Sequence, residues 1–529
     1  MKKQMKQVAA ATLAALCFGA VAIPTVASAA TITVTNSSSN ITMDATDTYT
    51  AYKVFGVNDL GDGKIEIIED SISDKVADVF ETLMAADSTF SSSSATIGGK
   101  ITDYLNHIAS KNDAVKAMGR ALANAGLTNG QAMTVADGKA TLDVGDELGY
   151  YLVTGASKEG TETVHSSVML RTATEDISIV LKADKPTVDK NIVENNALVN
   201  TNTAAFGDVI TYQIDSKVPD HTYYSTYYMK FTDTICDGID FNVNETDAEL
   251  TATVVIGSTP LAPEAYELTI DGNVMTIVIP NAKSYAIGAD IKITYDATVG
   301  SDAVIWNDAS AGNPNKVKLT YSNNPNWDTD GDGIPDDKDA NPNTPNPSEP
   351  NPENPNDPFT PEDFTPPTED TPEVEVITYV TELNIYKQDV TDPNSKTAMP
   401  GVEFKLVGEG KELTGTTGAD GKLAFSGLDA GTYTITEVSA PDGYIPASPV
   451  TIVIGEVYTD AQQSAFSKFT YAEGTNAAGD TNLFTIDNKR GTTLPETGGI
   501  GTTIFTIVGL TLMATATGAF IIKRKVTAQ

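Results

Sequence analysis

The chain has 529 residues, 71 acidic against 34 basic side chains, and a formal net charge of −37. A surface this negative repels phosphate, which argues against nucleic acid and anionic membranes as partners. An apolar content of 40% is too high for a chain that is disordered throughout. Only His107, His165 and His221 are present, without metal-ligand spacing, so zinc chemistry and a histidine-based triad are not expected. We therefore expect several folded domains and no enzyme activity towards other molecules.

Residues 1–29 are typical of a secretory signal peptide. A basic start precedes an apolar run over residues 8–23, and the small residues of a cleavage site follow it. Cleavage after Ala29 would remove Cys17 and leave Cys236 as the remaining cysteine. The exported chain is therefore expected to hold no internal disulfide.

The first folded block, residues 30–182, combines strand alternation with helical periodicity. Strands are predicted over residues 31–35, 49–55, 149–153 and 168–181, and helices between them over residues 72–127. Two later blocks, residues 183–325 and 376–490, show short alternating strands separated by Gly, Asp and Asn turns. This pattern predicts an all-β protein of tandem Ig-like β-sandwich domains, with a helical insertion in the first domain.

Three polar residues of the second block lie on the apolar faces of predicted strands. Lys190, Asp233 and Asn315 each occupy a position that alternation directs into the core. An amine, a carboxyl and a carboxamide are each costly to bury without a partner, so they are expected to meet there. Asn307 and Asn313 are neighbouring alternatives to Asn315.

The predicted linker, residues 326–375, contains the spacing of a calcium-binding loop and then a Pro- and Asn-rich spacer. Carboxylates fall at loop positions 1, 3, 5, 9 and 12, a glycine at 6 and a backbone carbonyl at 7. The ligands are Asp328, Asp330, Asp332, Ile334 (through its carbonyl), Asp336 and Asp339. Because the last position is Asp instead of the longer Glu, we expect weak Ca²⁺ binding, as in a thrombospondin type-3 repeat.

The third block repeats the polar set of the second. Lys387, Glu437 and Asn488 each follow apolar residues on the inward face of a strand. One lysine on an apolar face usually extends its amine to solvent at a strand end. Two sets with lysine first, acid in the middle and Asn last make that explanation less probable.

The three groups can react once they are buried together. Desolvation favours the neutral amine and the protonated acid. The acid can then polarise the carboxamide, the amine attacks it and ammonia leaves, in a single turnover aided by fixed geometry. The product is a Lys–Asn isopeptide bond that bears tension along the chain without sulfur.

The C-terminal region, residues 491–529, contains the motif Leu494, Pro495, Glu496, Thr497 and Gly498. This motif resembles the LPxTG sorting signal of Gram-positive sortase substrates. An apolar stretch over residues 500–522 is long enough to span a bilayer, and a basic cluster follows it. The resemblance implies that sortase cuts between Thr497 and Gly498 and joins the Thr carboxyl to an amine.

Residues 433–444, Tyr-Thr-Ile-Thr-Glu-Val-Ser-Ala-Pro-Asp-Gly-Tyr, resemble the E-box of Gram-positive backbone pilins. In that family the glutamate, here Glu437, assists the isopeptide reaction. The third block resembles a CnaB-like domain, which implies a Lys387–Asn488 bond. The second resembles the pilin middle domain, which implies a Lys190–Asn315 bond assisted by Asp233. The resemblance implies a pilus backbone subunit whose identical copies are joined by amide bonds and anchored to peptidoglycan, with possible ancillary pilins and a host surface ligand as further partners.

The same resemblance implies an exposed lysine that accepts the Thr497 carboxyl of another subunit. The matching stretch, residues 177–183, shares the alternating aliphatic residues and Lys182 with the family motif but lacks its Tyr, Pro and Asn. Lys182 lies opposite the aliphatic face, and Lys185 is the rival. An alternative function is that of an adhesin, anchored singly to the wall and not polymerised.

Overall fold

The computed structural model describes residues 30–36, 41–159, 162–166, 168–181, 184–224, 227–243, 252–325 and 367–491. The described chain is 52% strand and 12% helix, which confirms the all-β prediction with a helical insertion. It divides into two compact units. One runs to Val380 and includes Tyr458–Ser467, and the other comprises Thr381–Val457 and the residues from Lys468 onward.

The N-terminal domain contains two sheets and three α-helices. Its strands are β1 Ala30–Asn36, β2 Thr48–Gly61, β3 Lys64–Ile67, β4 Gly130–Ala132, β5 Thr134–Ala136, β6 Lys139–Gly145, β7 Gly149–Glu159, β8 Glu162–His165, β9 Met169–Ala173 and β10 Ile177–Leu181. The helices are α1 Asp74–Ala86, α2 Ile97–Ile108 and α3 Asn112–Asn124. One sheet has the order β10-β1-β6-β5, and the other has the order β3-β2-β7-β8, with β4 on β2 and β9 on β7.

Two of the three helices, α1 and α2, have a side-chain N-cap and contribute to a shared apolar stripe. The hydroxyl of Ser73 caps α1 and that of Thr96 caps α2 by accepting backbone N–H bonds. Phe80 of α1 and Tyr104 of α2 are buried with Phe55 of β2 in one apolar cluster. Burial of this stripe against the sheet stabilises helices that would be marginal alone.

The prediction of one strand over residues 168–181 is wrong. The structure has β9 in one sheet and β10 in the other, with β10 parallel to β1. The carboxylate of Asp176, in the turn between them, accepts a 2.8 Å hydrogen bond from the backbone N–H of Thr31. Alternation continues on both sides of this turn, so the sequence pattern did not reveal the change of sheet.

The middle domain is a sandwich of two sheets around one apolar core. Its strands are β11 Val188–Glu194, β12 Ala197–Val199, β13 Thr201–Thr203, β14 Val209–Lys217, β15 Met229–Ile235, β16 Ile239–Phe241, β17 Thr253–Ile256, β18 Thr259–Pro260, β19 Glu267–Asp271, β20 Val274–Ile279, β21 Asp290–Val299, β22 Asn313–Ser322, β23 Thr368–Asp370 and β24 Val374–Tyr379. The first sheet has the order β12-β11-β14-β21-β17-β18, with β16 on β21. The second has the order β13-β24-β22-β15-β20-β19, with β23 on β22.

The predicted domain boundaries at residues 325 and 376 differ from the structure. β23 and β24 follow the predicted linker, yet both pair with β22 of the middle domain. Val376 and Val380 are buried in the core of that domain. The apolar alternation of β24 continues directly into the next strand, so no composition change marks the boundary after Val380.

The third domain also has two sheets. Its strands are β25 Thr381–Asp389, β26 Thr397–Ala398, β27 Glu403–Gly408, β28 Lys411–Thr416, β29 Lys422–Leu428, β30 Gly431–Ser439, β31 Tyr444–Ile445, β32 Val450–Tyr458, β33 Phe466–Glu473 and β34 Leu483–Arg490. One sheet has the order β26-β25-β34-β31, with β29 on β25, and the other has the order β28-β27-β30-β32-β33. The first and last strands, β25 and β34, are parallel neighbours.

Candidate functional site

The third domain brings Lys387, Glu437 and Asn488 into one buried cluster. Lys387 on β25 and Asn488 on β34 come from neighbouring parallel strands. Lys387 is in register with Ile486, which lies two residues before Asn488. Glu437 comes from β30 in the other sheet. The side chains of Lys387 and Glu437 are both 0% exposed. The amine, the acid and the carboxamide therefore meet in an interior from which water is excluded.

The contacts within this cluster place the amine beside the carboxamide. Lys387 Nζ donates a hydrogen bond to Asn488 Oδ1 at 2.5 Å and lies 3.4 Å from Glu437 Oε2. Asn488 Nδ2 donates to Glu437 Oε1 at 2.7 Å. The second carboxyl oxygen of Glu437 accepts the backbone N–H of Ala447 at 2.8 Å, which holds the acid in place. Each reacting group thus touches the other two.

Burial also adjusts the protonation of Lys387. Desolvation lowers the pKa of the Lys387 amine, although Glu437 opposes this effect. The ring of Phe404 lies 6.0 Å from the amine and adds to the apolar surroundings. A lowered pKa increases the fraction of neutral amine, which is the nucleophilic form.

The middle domain gathers Lys190, Asp233 and Asn315, each 0% exposed. Lys190 is on β11 of one sheet, whereas Asp233 on β15 and Asn315 on β22 are on the facing sheet. In the antiparallel pair of β15 and β22, Asn315 is in register with Ile235. Lysine and asparagine thus come from opposite sheets here, unlike in the third domain.

A tyrosine connects the middle cluster. Lys190 Nζ donates a hydrogen bond to Asp233 Oδ2 and another, of 3.0 Å, to the hydroxyl of Tyr295. That hydroxyl donates to Asp233 Oδ1 at 2.8 Å and accepts from Asn315 Nδ2 at 2.7 Å. Asn315 Oδ1 is buried and has no hydrogen-bond partner among the described residues. The carboxamide carbonyl is therefore an unsatisfied acceptor inside the core.

Burial has opposite effects on the two ionisable partners of this cluster. Desolvation lowers the pKa of the Lys190 amine and raises the pKa of the Asp233 carboxyl. Their mutual attraction works against both shifts but is outweighed by the loss of water. Both shifts favour a neutral amine beside a protonated acid.

The alternatives to Asn315 occupy other environments. Asn307 is exposed. Asn313 is buried, but its carboxamide is bound to backbone: Oδ1 accepts from Val304 N–H at 2.7 Å, and Nδ2 donates to the carbonyls of Val304 and Thr378. Of the three asparagines, Asn315 is the one that donates a hydrogen bond into the lysine–acid cluster, through the hydroxyl of Tyr295.

Sequence analysis missed Tyr295, the residue that touches all three groups of the middle cluster. It lies on β21, where Ile291, Ile293, Tyr295 and Ala297 alternate inward and are buried. A tyrosine on an apolar face needs a partner for its hydroxyl, and this was the available signal. The N-terminal domain offers no comparable cluster, because none of its described lysines is buried.

The two candidate linking lysines differ in what the structure shows. Lys182 lies outside the described residues. Lys185 pairs with Glu162 at 3.0 Å, and the two side chains are only 14% and 2% exposed. Glu162 also accepts a 2.7 Å hydrogen bond from the hydroxyl of Tyr321. The amine of Lys185 is therefore engaged in a largely buried pair.

The remaining predicted sites fall outside the described residues: the signal peptide, the calcium loop, the sorting motif and the apolar stretch over residues 500–522. Within the part of the chain that the structure describes, no helix is long and apolar enough to cross a membrane.

Comparisons with known proteins match the chain to three families. The family described as Gram-positive pilin backbone subunit 2, Cna-B-like domain, matches residues 206–325. A prealbumin-like fold domain matches residues 381–465, and the LPXTG cell wall anchor motif matches residues 486–527. The trypsin-resistant surface T6 protein of Streptococcus pyogenes serotype M6 is 25% identical over 416 residues, which is 65% of this chain and 70% of that protein. These matches make the chain similar to the Gram-positive backbone pilins, through its middle domain and its C-terminal anchor motif.

One solved pilin structure resembles this chain in fold. The T6 backbone pilin of S. pyogenes, described as a modular three-domain structure, has a TM-score of 0.53 at 15% identity, covering 88% of this chain and 100% of that one. The major pilin SpaD of Corynebacterium diphtheriae has a TM-score of 0.46 at 15% identity, covering 88% and 98%.

The anchor motif and the surface protein that this chain resembles together give its location. It is a surface protein anchored in the cell wall, with sortase and peptidoglycan as its partners.

Proposed function

We propose that this chain is the backbone subunit of a polymerised pilus and that it is stabilised by two intramolecular isopeptide bonds, Lys190–Asn315 and Lys387–Asn488. One observation carries the proposal: in each of two domains a buried lysine, a buried acid and a buried asparagine are joined by hydrogen bonds. An ordinary apolar core is not expected to bury these three groups together in two separate domains, because each group costs free energy to desolvate.

In the third domain the reaction needs no further group. The neutral amine of Lys387 attacks Cγ of Asn488, and a proton passes from Nζ to Glu437. Glu437 already contacts the amide nitrogen at 2.7 Å and returns a proton to it as ammonia leaves. The fixed contacts supply the effective concentration that makes a single unassisted turnover feasible.

Intact-mass measurement tests both bonds. The mature chain should weigh less than its sequence by two molecules of ammonia, and proteolysis should release two branched peptides, one holding Lys190 with Asn315 and one holding Lys387 with Asn488. An unmodified mass, or linear peptides alone, would refute the proposal for the bond concerned.

We further propose that Lys182 accepts the Thr497 carboxyl of the next subunit. The pairing of Lys185 with the buried Glu162 supports this choice, since a nucleophile for a second molecule must be accessible. Lys182→Arg should abolish the ladder of covalent multimers on denaturing gels of wall extracts, because guanidinium does not act as the acceptor amine. Lys185→Arg keeps the charge beside Glu162 and should leave the ladder unchanged.

The opposite outcome of the two lysine variants would assign the linkage to Lys185. A single wall-linked species from the unaltered chain would instead favour the non-polymerised adhesin.

We also propose that residues 328–339 bind Ca²⁺ weakly, through Asp328, Asp330, Asp332, the Ile334 carbonyl, Asp336 and Asp339. Five carboxylates at these offsets around Gly333 support the proposal. Calorimetric titration of the full chain should give a dissociation constant of about 10⁻⁴–10⁻³ M, the range of extracellular sites. The double variant Asp328→Asn with Asp332→Asn should remove the heat signal. An unchanged titration would show that these carboxylates do not bind Ca²⁺ and that the segment is an acidic spacer.

A further inference from the structure

The two clusters differ in how the acid reaches the amide nitrogen that must leave. In the third domain Glu437 Oε1 accepts directly from Asn488 Nδ2 at 2.7 Å. In the middle domain Asn315 Nδ2 donates instead to the hydroxyl of Tyr295 at 2.7 Å, and that hydroxyl lies 2.8 Å from Asp233 Oδ1. Asp is one methylene shorter than Glu, and the tyrosine hydroxyl occupies the gap.

We propose that Tyr295 is a catalytic residue of the Lys190–Asn315 reaction, in which it relays a proton between Asp233 and the departing nitrogen. This inference rests on the proposed function. It depends on the hydroxyl being in contact with both reacting nitrogens, Lys190 Nζ at 3.0 Å and Asn315 Nδ2 at 2.7 Å, and with the acid.

The proton balance requires two hydrogen bonds to reverse, the one from Asn315 Nδ2 to the Tyr295 hydroxyl and the one from that hydroxyl to Asp233 Oδ1. Lys190 Nζ forms a bond to Cγ of Asn315 and gives a proton to Oδ2 of Asp233, and the proton that the buried acid carried from the start can then leave from Oδ1. Addition turns the planar amide nitrogen into a tetrahedral amine with a lone pair, so Nδ2 can now accept the hydrogen bond that it previously donated. Tyr295 then gives its proton to Nδ2 and takes one from Asp233, the Cγ–Nδ2 bond breaks, and ammonia leaves.

The surroundings keep Tyr295 suited to this relay. Tyr295 is 2% exposed, and its ring is stacked on Tyr212, with ring centroids 5.4 Å apart, which fixes the hydroxyl in position. Burial raises the pKa of this phenol well above its ordinary value, so the hydroxyl keeps its proton until an acceptor forms. In the third domain the aromatic residue beside the lysine is Phe404, which has no hydroxyl, and the glutamate reaches the nitrogen by itself.

The test compares the rates at which the two bonds form in one chain. Full-length Tyr295→Phe, made by pulse-labelled cell-free synthesis and sampled over time, should form the Lys190–Asn315 link about 10²-fold or more slowly, the usual effect of removing a proton-transfer group. The Lys387–Asn488 link should form at the unaltered rate in the same molecules. Tyr227→Phe is the matched control, because Tyr227 is also buried in this core and its hydroxyl has no hydrogen-bond partner among the described residues.

A second variant separates a relay from packing. In Asp233→Glu combined with Tyr295→Phe, the added methylene uses the space of the lost hydroxyl, and the longer acid should restore the link as Glu437 does in the third domain. A normal rate in Tyr295→Phe, an equal loss in Tyr227→Phe, or a loss that Asp233→Glu does not restore would overturn the relay. Absence of the Lys190–Asn315 link from the unaltered chain would defeat the proposed function itself.

Discussion

Replacing Glu437 by Gln should abolish the Lys387–Asn488 cross-link and lower the free energy of unfolding of the third domain by about 5 kcal/mol. Without a titratable acid, no group carries the proton from the amine to the departing nitrogen. The cross-link spans 101 residues, and closing a loop of that length removes much of the conformational entropy of the unfolded chain. Thermal unfolding followed by calorimetry should show the third-domain transition roughly 20 °C lower.

The matched control for this variant is Glu412→Gln. Glu412 is on β28 in the same sheet as Glu437, but its side chain is 63% exposed and pairs with Lys405 on the surface. The Glu412→Gln chain should lose both ammonia molecules and unfold at the same temperature as the unaltered chain, because exposed ion pairs contribute little to stability. If Glu437→Gln kept the full mass loss and the unaltered melting temperature, Glu437 would have no part in the reaction.

Replacing Asp233 by Asn should abolish the Lys190–Asn315 cross-link and destabilise the middle domain by about 5 kcal/mol, since the closed loop is of similar length. The loss should exceed this figure at neutral pH, because the variant leaves the buried amine of Lys190 without the acid that now pairs with it. Intact mass should show one ammonia lost instead of two, and the branched peptide that remains should be the one from the third domain.

Asp290→Asn is the control for Asp233. Asp290 is on β21, the strand that also carries Tyr295, but its side chain is 75% exposed. The side chain of its partner, Lys217, is 63% exposed. Its replacement should leave both bonds and both transitions unchanged. Cross-linking of the Asp233→Asn chain at the normal extent would show that the lysine and asparagine react without this acid.

The two proposed bonds would act on different parts of their domains. Lys387 and Asn488 lie on adjacent parallel strands of one sheet, so their bond would join the first and last strands of the third domain directly. Lys190 and Asn315 lie on facing sheets, so their bond would tie the two layers of the middle sandwich together. In both cases the strand that enters the domain would be linked covalently to a strand near its exit.

Strand alternation alone was sufficient to predict the burial of five polar residues. The structure buries all five: Lys190, Asp233, Lys387, Glu437 and Asn488. This succeeds because successive side chains of a strand point to opposite faces, so a residue's neighbours two positions away determine whether it is buried. The sorting motif and the charge balance are likewise properties of the sequence itself.

Other features depended on how distant strands pair, which local pattern does not encode. Asn313 and Asn315 lie on the same face of β22, and only the neighbouring segments separate them: Val304 and Thr378 bind the first, and Tyr295 binds the second. The position of Tyr295 between acid and amide arises from the packing of β21 opposite β15 and β22. The return of β24 to the middle domain likewise depends on contacts with β22, because its alternating sequence would fit either domain.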